Sequence, residues 1–291
     1  MTRLTRRDRA VAAAARYAIR PILALPLPWP VHRAGFDLFA PRPPGDVRTR
    51  EHRGRIAGVP VLTVEPKDRH GTLVWFHGGG FVVGSPKANR AMAHALARRG
   101  GLRVILPDYR KAPEHPFPAG LDDCLAVTRA VAKDGPYRLG GDSAGGNLAL
   151  AVCAEMLVEG RGPVRLALIS PAVDLDPARV LPEGADEMVL SEAALRRMVA
   201  DYLAGGDPGD PRASPVHATF RNPPPTLIQA ARGEYLERDA DAIAQRLRQQ
   251  GGRVRVDKMP GMPHDYQILV GLAPAADRSV SRLAIFLRGG R

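Results

Sequence analysis

The feature that most constrains this chain is a regular alternation of short apolar runs with helical patterns. Residues 72–77 (Thr-Leu-Val-Trp-Phe-His) form a continuous apolar run of strand length, and residues 88–99 follow with Ala91, Met92 and Leu96 on one helical face. The same reading predicts strands at 104–107, 137–141 and 164–170, separated by helices at 121–133 and 148–159. An irregular stretch holds one further helix, 191–203, with Ser191 at its cap position. The rhythm then resumes with a strand at 226–231, a helix at 239–250, a strand at 254–259 and a helix at 275–287. Strands that alternate with helices imply an α/β fold with a mostly parallel sheet covered on both faces. Residues 1–50 and about 172–220 stand outside this rhythm and are candidates for a cap. Proline-rich stretches at 26–30, 41–44 and 222–225 favour extended connections there, because proline lacks the helical N–H donor.

Charge decides which partners deserve attention. The chain of 291 residues carries a net charge of +12, which alone would suggest nucleic acid or an anionic surface. Its distribution argues otherwise: residues 1–55 hold twelve Arg and four acids, a net +8, and leave only +4 for everything after. No nucleic-acid-binding module accompanies the charge. A weak attraction of Arg3, Arg6, Arg7 and Arg9 to anionic lipid or acidic substrates is the residual expectation. No run of 18 apolar residues exists, so stable membrane insertion is not expected. Arg6 and Arg7 precede the apolar residues 11–15 as in a twin-arginine export signal, but Arg16, Arg20 and the prolines from Pro21 onward interrupt that run. Cys124 and Cys153, both inside apolar segments, read as buried thiols, and the cytoplasm is the expected compartment.

Two glycine-rich segments carry the chemistry. Gly141-Asp142-Ser143-Ala144-Gly145-Gly146 fits a nucleophile elbow, a strand-to-helix turn tight enough to require small flanking residues and to lift the Ser143 hydroxyl clear of the sheet. Composition predicts only ~0.07 chance occurrences of Gly-x-Ser-x-Gly, and an apolar strand before it and a helix after it are the context the motif needs. His77-Gly78-Gly79-Gly80-Phe81 follows the strand at 72–76 directly. Glycines there allow backbone N–H groups to converge on one point. Gly78 and Gly79 are expected to join Ala144, the residue after the nucleophile, around an oxyanion.

A nucleophilic serine needs a base and an acid to orient it. Of eight histidines, His77 belongs to the glycine loop, and His32, His52, His70, His94, His115 and His217 lie away from the last strand. His264, on the loop after the strand at 254–259, sits at the carboxyl end of the sheet and is the expected base. Glu234, Glu237, Asp239 and Asp241 follow the strand at 226–231. Glu234 comes first after it, whereas Asp239 and Asp241 are placed to begin the next helix and meet its dipole.

These segments resemble the hormone-sensitive lipase family of bacterial esterases. Besides the two glycine motifs, Asp108-Tyr109-Arg110-Lys111-Ala112-Pro113-Glu114-His115-Pro116-Phe117-Pro118-Ala119 and Asp210-Pro211-Arg212-Ala213-Ser214-Pro215 are similar to the family's connecting segments. The resemblance spans residues 60–288. It implies an α/β hydrolase fold with a helical cap from residues 1–50, a catalytic domain over 51–291 and a cap insertion at about 172–220. It also implies a Ser143–His264–Glu234 triad and hydrolysis of short- to medium-chain acyl esters with no cofactor or metal. Glu114 and His115 become supports beside the oxyanion loop, and a homodimer through the last strand and helix is a family habit. The chain departs from the family at Glu234-Tyr235-Leu236, where Asp-Pro-Leu is usual, at Lys111, and at Asp265-Tyr266, where Gly-Phe is commoner. Deacetylase, lactonase and amidase chemistry use the same parts. A ligand-binding receptor on this fold would be expected to lack the base.

Overall fold

The computed structural model describes residues 4–38, 40–41 and 48–289. Arg3, Asp46 and residues 42–44 of the second proline-rich stretch lie outside the described residues.

Three helices open the chain: α1 (Arg6–Ala14), α2 (Arg20–Ala24) and α3 (Trp29–Leu38). Thr5 and Asp8 form a reciprocal capping box at the start of α1. The prolines here do not act as the sequence suggests. Pro21 sits in the first turn of α2, and the preceding π-helical residues Ala15–Ile19 carry the chain into it without a break. Pro30 likewise occupies the first turn of α3 rather than an extended segment.

Next come β1 (Thr49–Ile56) and β2 (Val59–Pro66), an antiparallel hairpin turning at Ala57 and Gly58, both at positive φ. The rest of the body is β3 (Gly71–Phe76), α4 (Arg90–Gly100), β4 (Leu102–Pro107), α5 (Ala119–Val131), β5 (Tyr137–Asp142), α6 (Ala144–Val158) and β6 (Leu166–Ile169). It ends with α7 (Glu192–Leu203), β7 (Thr226–Arg232), α8 (Glu237–Gln249), β8 (Val254–Pro260) and α9 (Pro274–Arg288). The Ser191 hydroxyl caps α7 by accepting from the Ala194 N–H.

The eight strands form one sheet in the order β1-β2-β4-β3-β5-β6-β7-β8, parallel from β4 onward, with the hairpin antiparallel on one edge. Period-two alternation explains why its strands read as unbroken apolar runs. Val74 and Phe76 of β3 enter the core shared with Leu121, Leu148 and Ile243. Leu73 and Trp75 enter the other core, against Met92, Leu96 and Leu283. In β6 Leu168 takes the first side and Ile169 the second. Burying both faces leaves the carboxyl edge, where loops emerge, as the place for chemistry.

Helices outside the sheet rhythm meet above that edge. Trp29 donates its Nε1–H to Asp201 at 2.6 Å, and the Arg197 guanidinium lies 4.0 Å from the Trp29 ring centroid. Arg33 donates to the Val82 and Ala112 carbonyls at 2.7 and 2.8 Å and pairs with Glu114, tying α3 to the glycine loop. Glu114 is therefore a support through Arg33, whereas the expected support His115 is exposed. At the other end, Asp8 accepts from the Ala275 N–H at 2.9 Å and fixes α1 to α9. Among the described residues no helix is long and apolar enough to cross a membrane.

Candidate active site

β5 runs directly into α6 through Ser143, whose backbone (φ 53°, ψ −120°) occupies a region that L-residues rarely adopt. The Ser143 N–H is held by the Ile169 carbonyl of β6 at 2.8 Å. Gly145 has to be glycine, because a Cβ there would overlap the Phe76 carbonyl of β3. That close approach starts the helix at Ala144, four residues earlier than the apolar pattern alone indicates.

Ser143 Oγ lies 3.0 Å from His264 Nε2. On the far side of the ring, His264 Nδ1 is 2.5 Å from Glu234 Oε2. A carboxylate only accepts, so Nδ1 carries the proton and Nε2 faces the serine. The other Glu234 oxygen accepts from the Ser170 hydroxyl at 2.6 Å and the Ala231 N–H at 2.8 Å. All three members are buried. Burial pushes the Glu234 carboxyl above its ordinary range, with the imidazole opposing it. Burial alone would lower His264, but the charges of Asp265 and Glu234 outweigh it and hold the imidazole well above the usual 6.5.

The remaining acids are occupied elsewhere. Asp239 forms a buried pair with Arg179 and accepts from the Val173 N–H, Glu237 accepts from the Gly233 N–H, and Asp241 pairs with Lys258. The structure thus brings Glu234, and not these three, to His264. The other histidines also stay away: His94 bonds Thr49 and Glu51, and His32 faces the Leu25 carbonyl. His77 is buried, stacked on Tyr109 at 4.3 Å, and burial drops it to about 4, so it is neutral.

One expectation needs correction. The Gly78 N–H points to Asp142 Oδ2 at 2.7 Å, so it is committed to that carboxylate. A cavity of about 100 Å³ opens over Ser143 and is lined by Gly79, Gly80, Ala144 and His264, but not by Gly78. Among the described residues the N–H groups of Gly79, Gly80 and Ala144 make no hydrogen bond. Gly79 (φ 118°) and Gly80 (φ 57°) take backbone angles suited to glycine, and a Cβ on Gly79 would overlap the Val83 carbonyl. Apolar side chains from the cap, including Leu23, Phe36, Met198 and Val199, close the cavity.

Three residues that the sequence reading passed over hold this loop. Asp142 accepts from Gly78 and from Trp75 Nε1–H at 2.7 Å, and Asn89 Nδ2 completes the set. Asp142 was visible only as the variable position of the serine motif; nothing in the sequence pattern marked its partners. Asp265, one of the departures from the family pattern, brings Oδ2 to 3.2 Å of His264 Nε2.

Sheet, elbow and glycine loop define an α/β hydrolase, and the family model described as alpha/beta hydrolase fold matches residues 73–268. The chain belongs to that family, and within it to the hormone-sensitive lipase family of esterases; it is a carboxylic ester hydrolase. It is 37% identical to the acetyl-hydrolase of Streptomyces hygroscopicus over 84% of this chain and 83% of that one. It is 31% identical to the carboxylesterase/phospholipase LipF of Mycobacterium tuberculosis over 96% and 81%. Its fold superposes on the crystal structure of an esterase from the bacterial hormone-sensitive lipase family with a TM-score of 0.88, 28% identity and 99% of each chain covered.

Proposed function

We propose that the chain is a serine carboxylesterase acting on short acyl esters. Ser143 is its nucleophile, His264 its general base and acid, and Glu234 the acid that fixes the imidazole tautomer. The N–H groups of Gly79, Gly80 and Ala144 receive the oxyanion. Ser143 Oγ attacks the ester carbonyl as its proton passes to His264 Nε2, and that proton then goes to the leaving alcohol. Water repeats the cycle on the acyl-enzyme. The observation that carries this reading is the continuous chain Ser143 Oγ, His264 Nε2, His264 Nδ1, Glu234 Oε2, whose Ser143 and His264 share a cavity with three uncommitted N–H groups.

Cavity size supports the short-acyl part. The space over Ser143, about 100 Å³, is less than the roughly 150 Å³ cavity that admits benzene. That space suits a small acyl group such as acetyl or butyryl. The acetyl-hydrolase named among the relatives agrees with this size. A base in hydrogen-bond reach of the serine, itself held by an acid, favours catalysis over a purely ligand-binding role. Turnover of p-nitrophenyl acetate, butyrate and octanoate by the wild type and Ser143→Ala tests the reading. The expected result is a preference for the two shorter esters and a loss on the order of 10⁴-fold or more in the variant. Near-normal turnover by Ser143→Ala rules the assignment out.

A further inference from the structure

Two acids bracket one imidazole. Glu234 holds His264 Nδ1, while Asp265 Oδ2 stands 3.2 Å from Nε2, the same nitrogen that lies 3.0 Å from Ser143 Oγ. A carboxylate only accepts, so Asp265 bonds Nε2 only when that nitrogen carries a proton. Ser143, to be activated, needs Nε2 without one. The Ser143 contact that activates the serine and the Asp265 contact therefore need Nε2 in opposite protonation states.

The surroundings leave Asp265 no other partner of opposite charge. It is 8% exposed, and its Oδ1 is buried without a hydrogen bond among the described residues. Around it stand Asp142 from the end of β5 and Glu234 from the loop after β7. The walls from the N-terminal helices and α7 are apolar, and among the described residues no Lys or Arg lines the cavity. The cation that meets Asp265 is therefore the imidazolium of His264.

We propose that Asp265 is a positioning residue that competes with Ser143 for His264 Nε2, holds the resting base protonated and slows release of its proton to the leaving alcohol. This rests on the catalytic reading of Ser143 and His264 given above. In acylation the Ser143 proton moves to Nε2 while the Oγ–C bond forms and the carbonyl π pair moves onto oxygen. As that pair returns and the C–O bond to the alcohol breaks, the same proton leaves Nε2 for the departing oxygen. A carboxylate beside Nε2–H stabilises the imidazolium between these steps. It strengthens the base once neutral but weakens the acid, so alkyl alcohols, which need the proton, suffer more than phenols that depart as anions.

The test compares wild type with Asp265→Asn and Asp265→Gly, since both residues tolerate the left-handed backbone (φ 53°) at this position. Folding is checked by circular dichroism, and kcat/KM is measured against pH for p-nitrophenyl acetate and, by pH-stat, for ethyl acetate. Removing one of two charges at the ring is expected to move the acidic limb down by about one to three pH units. On the alkaline plateau the ratio of ethyl to p-nitrophenyl turnover rises several-fold. An acidic limb unmoved in both variants overturns the proposal. Ser143→Ala is run in parallel: activity retained there overturns the esterase reading instead, so the two failures are distinguishable.

Discussion

Asp142→Asn asks whether the glycine loop is held by the residue before the nucleophile. Asp142 Oδ1 accepts from Trp75 and Asn89, and Oδ2 accepts from the Gly78 N–H. Burial and the Asp265 charge push this carboxyl up to about 7, yet its three partners are all donors, which demands the ionised form. An amide keeps only one acceptor oxygen. The rotamer that preserves the two side-chain bonds sets an NH₂ against the Gly78 N–H, and the loop bond is the one given up. A hydrogen bond to a charged group contributes about 1.5–3 kcal/mol, and losing a buried charge offsets part of that, so a net loss of ~1–2 kcal/mol is expected. For a chain this long it lowers Tm by roughly 2–6 °C. The catalytic effect is larger, because a displaced loop carries Gly79 and Gly80 off the oxyanion position, and one such donor is worth about 2.7–4 kcal/mol in the transition state. Scanning calorimetry and p-nitrophenyl acetate kinetics at pH 8.5, above the carboxyl's range, provide both readouts. The expected pattern is kcat reduced by roughly two to three orders of magnitude with KM little changed. If kcat stays within about twofold of wild type, the Gly78 bond does not position the loop and this reasoning fails.

Two further outcomes follow from charges elsewhere. Asp239→Asn strips the partner from the mostly buried Arg179, so it is expected to cost about 3–5 kcal/mol of stability while leaving the chemistry of surviving folded enzyme intact; Glu234→Gln is expected to do the reverse, with a large kcat loss and a small change in Tm, and denaturant titration with kinetics on both variants checks the contrast. Glu51 is pushed up by burial but held below its ordinary 4.5 overall by His94 and Arg90. Its contribution is present above the unfolded pKa and lost as pH falls through the lowered folded value, so the Tm gap between wild type and Glu51→Gln is expected to narrow on acidification below about pH 4.5.

Most of the parallel sheet was legible because its inner strands bury both faces and the helices bury apolar stripes against them, and apolar periodicity records that directly. β1 was not, since Glu51-His52-Arg53-Gly54-Arg55 has a polar composition and becomes a strand only by pairing with β2 at the sheet edge. Ser143, His264 and Glu234, which the structure joins in one hydrogen-bonded chain, were singled out from chain order and strand ends. The direction of a backbone N–H could not be read in this way. Gly78 and Gly80 are equivalent as letters, and what separates them is a carboxylate 64 positions later that binds one and leaves the other facing the cavity. Asp265 escaped for a similar reason: its role depends on a backbone at φ 53° that folds its side chain back onto the preceding imidazole.

The same sheet geometry sets how Glu234 is held. β3 and β5 are neighbours, with Phe76 opposite Gly141, so the glycine loop and the elbow meet although about sixty residues separate them. The base and acid come from β8 and β7, with β6 standing between them and the serine strand. β6 ends at Ser170, a residue at φ 41° whose hydroxyl reaches toward β7. The longer glutamate is held at Oε1 by that hydroxyl and by the Ala231 N–H of its own strand, which fixes its extra methylene and leaves Oε2 for His264. Glu234 therefore spans Ser170, just past the end of β6, and the imidazole on the loop after β8 with its two carboxylate oxygens.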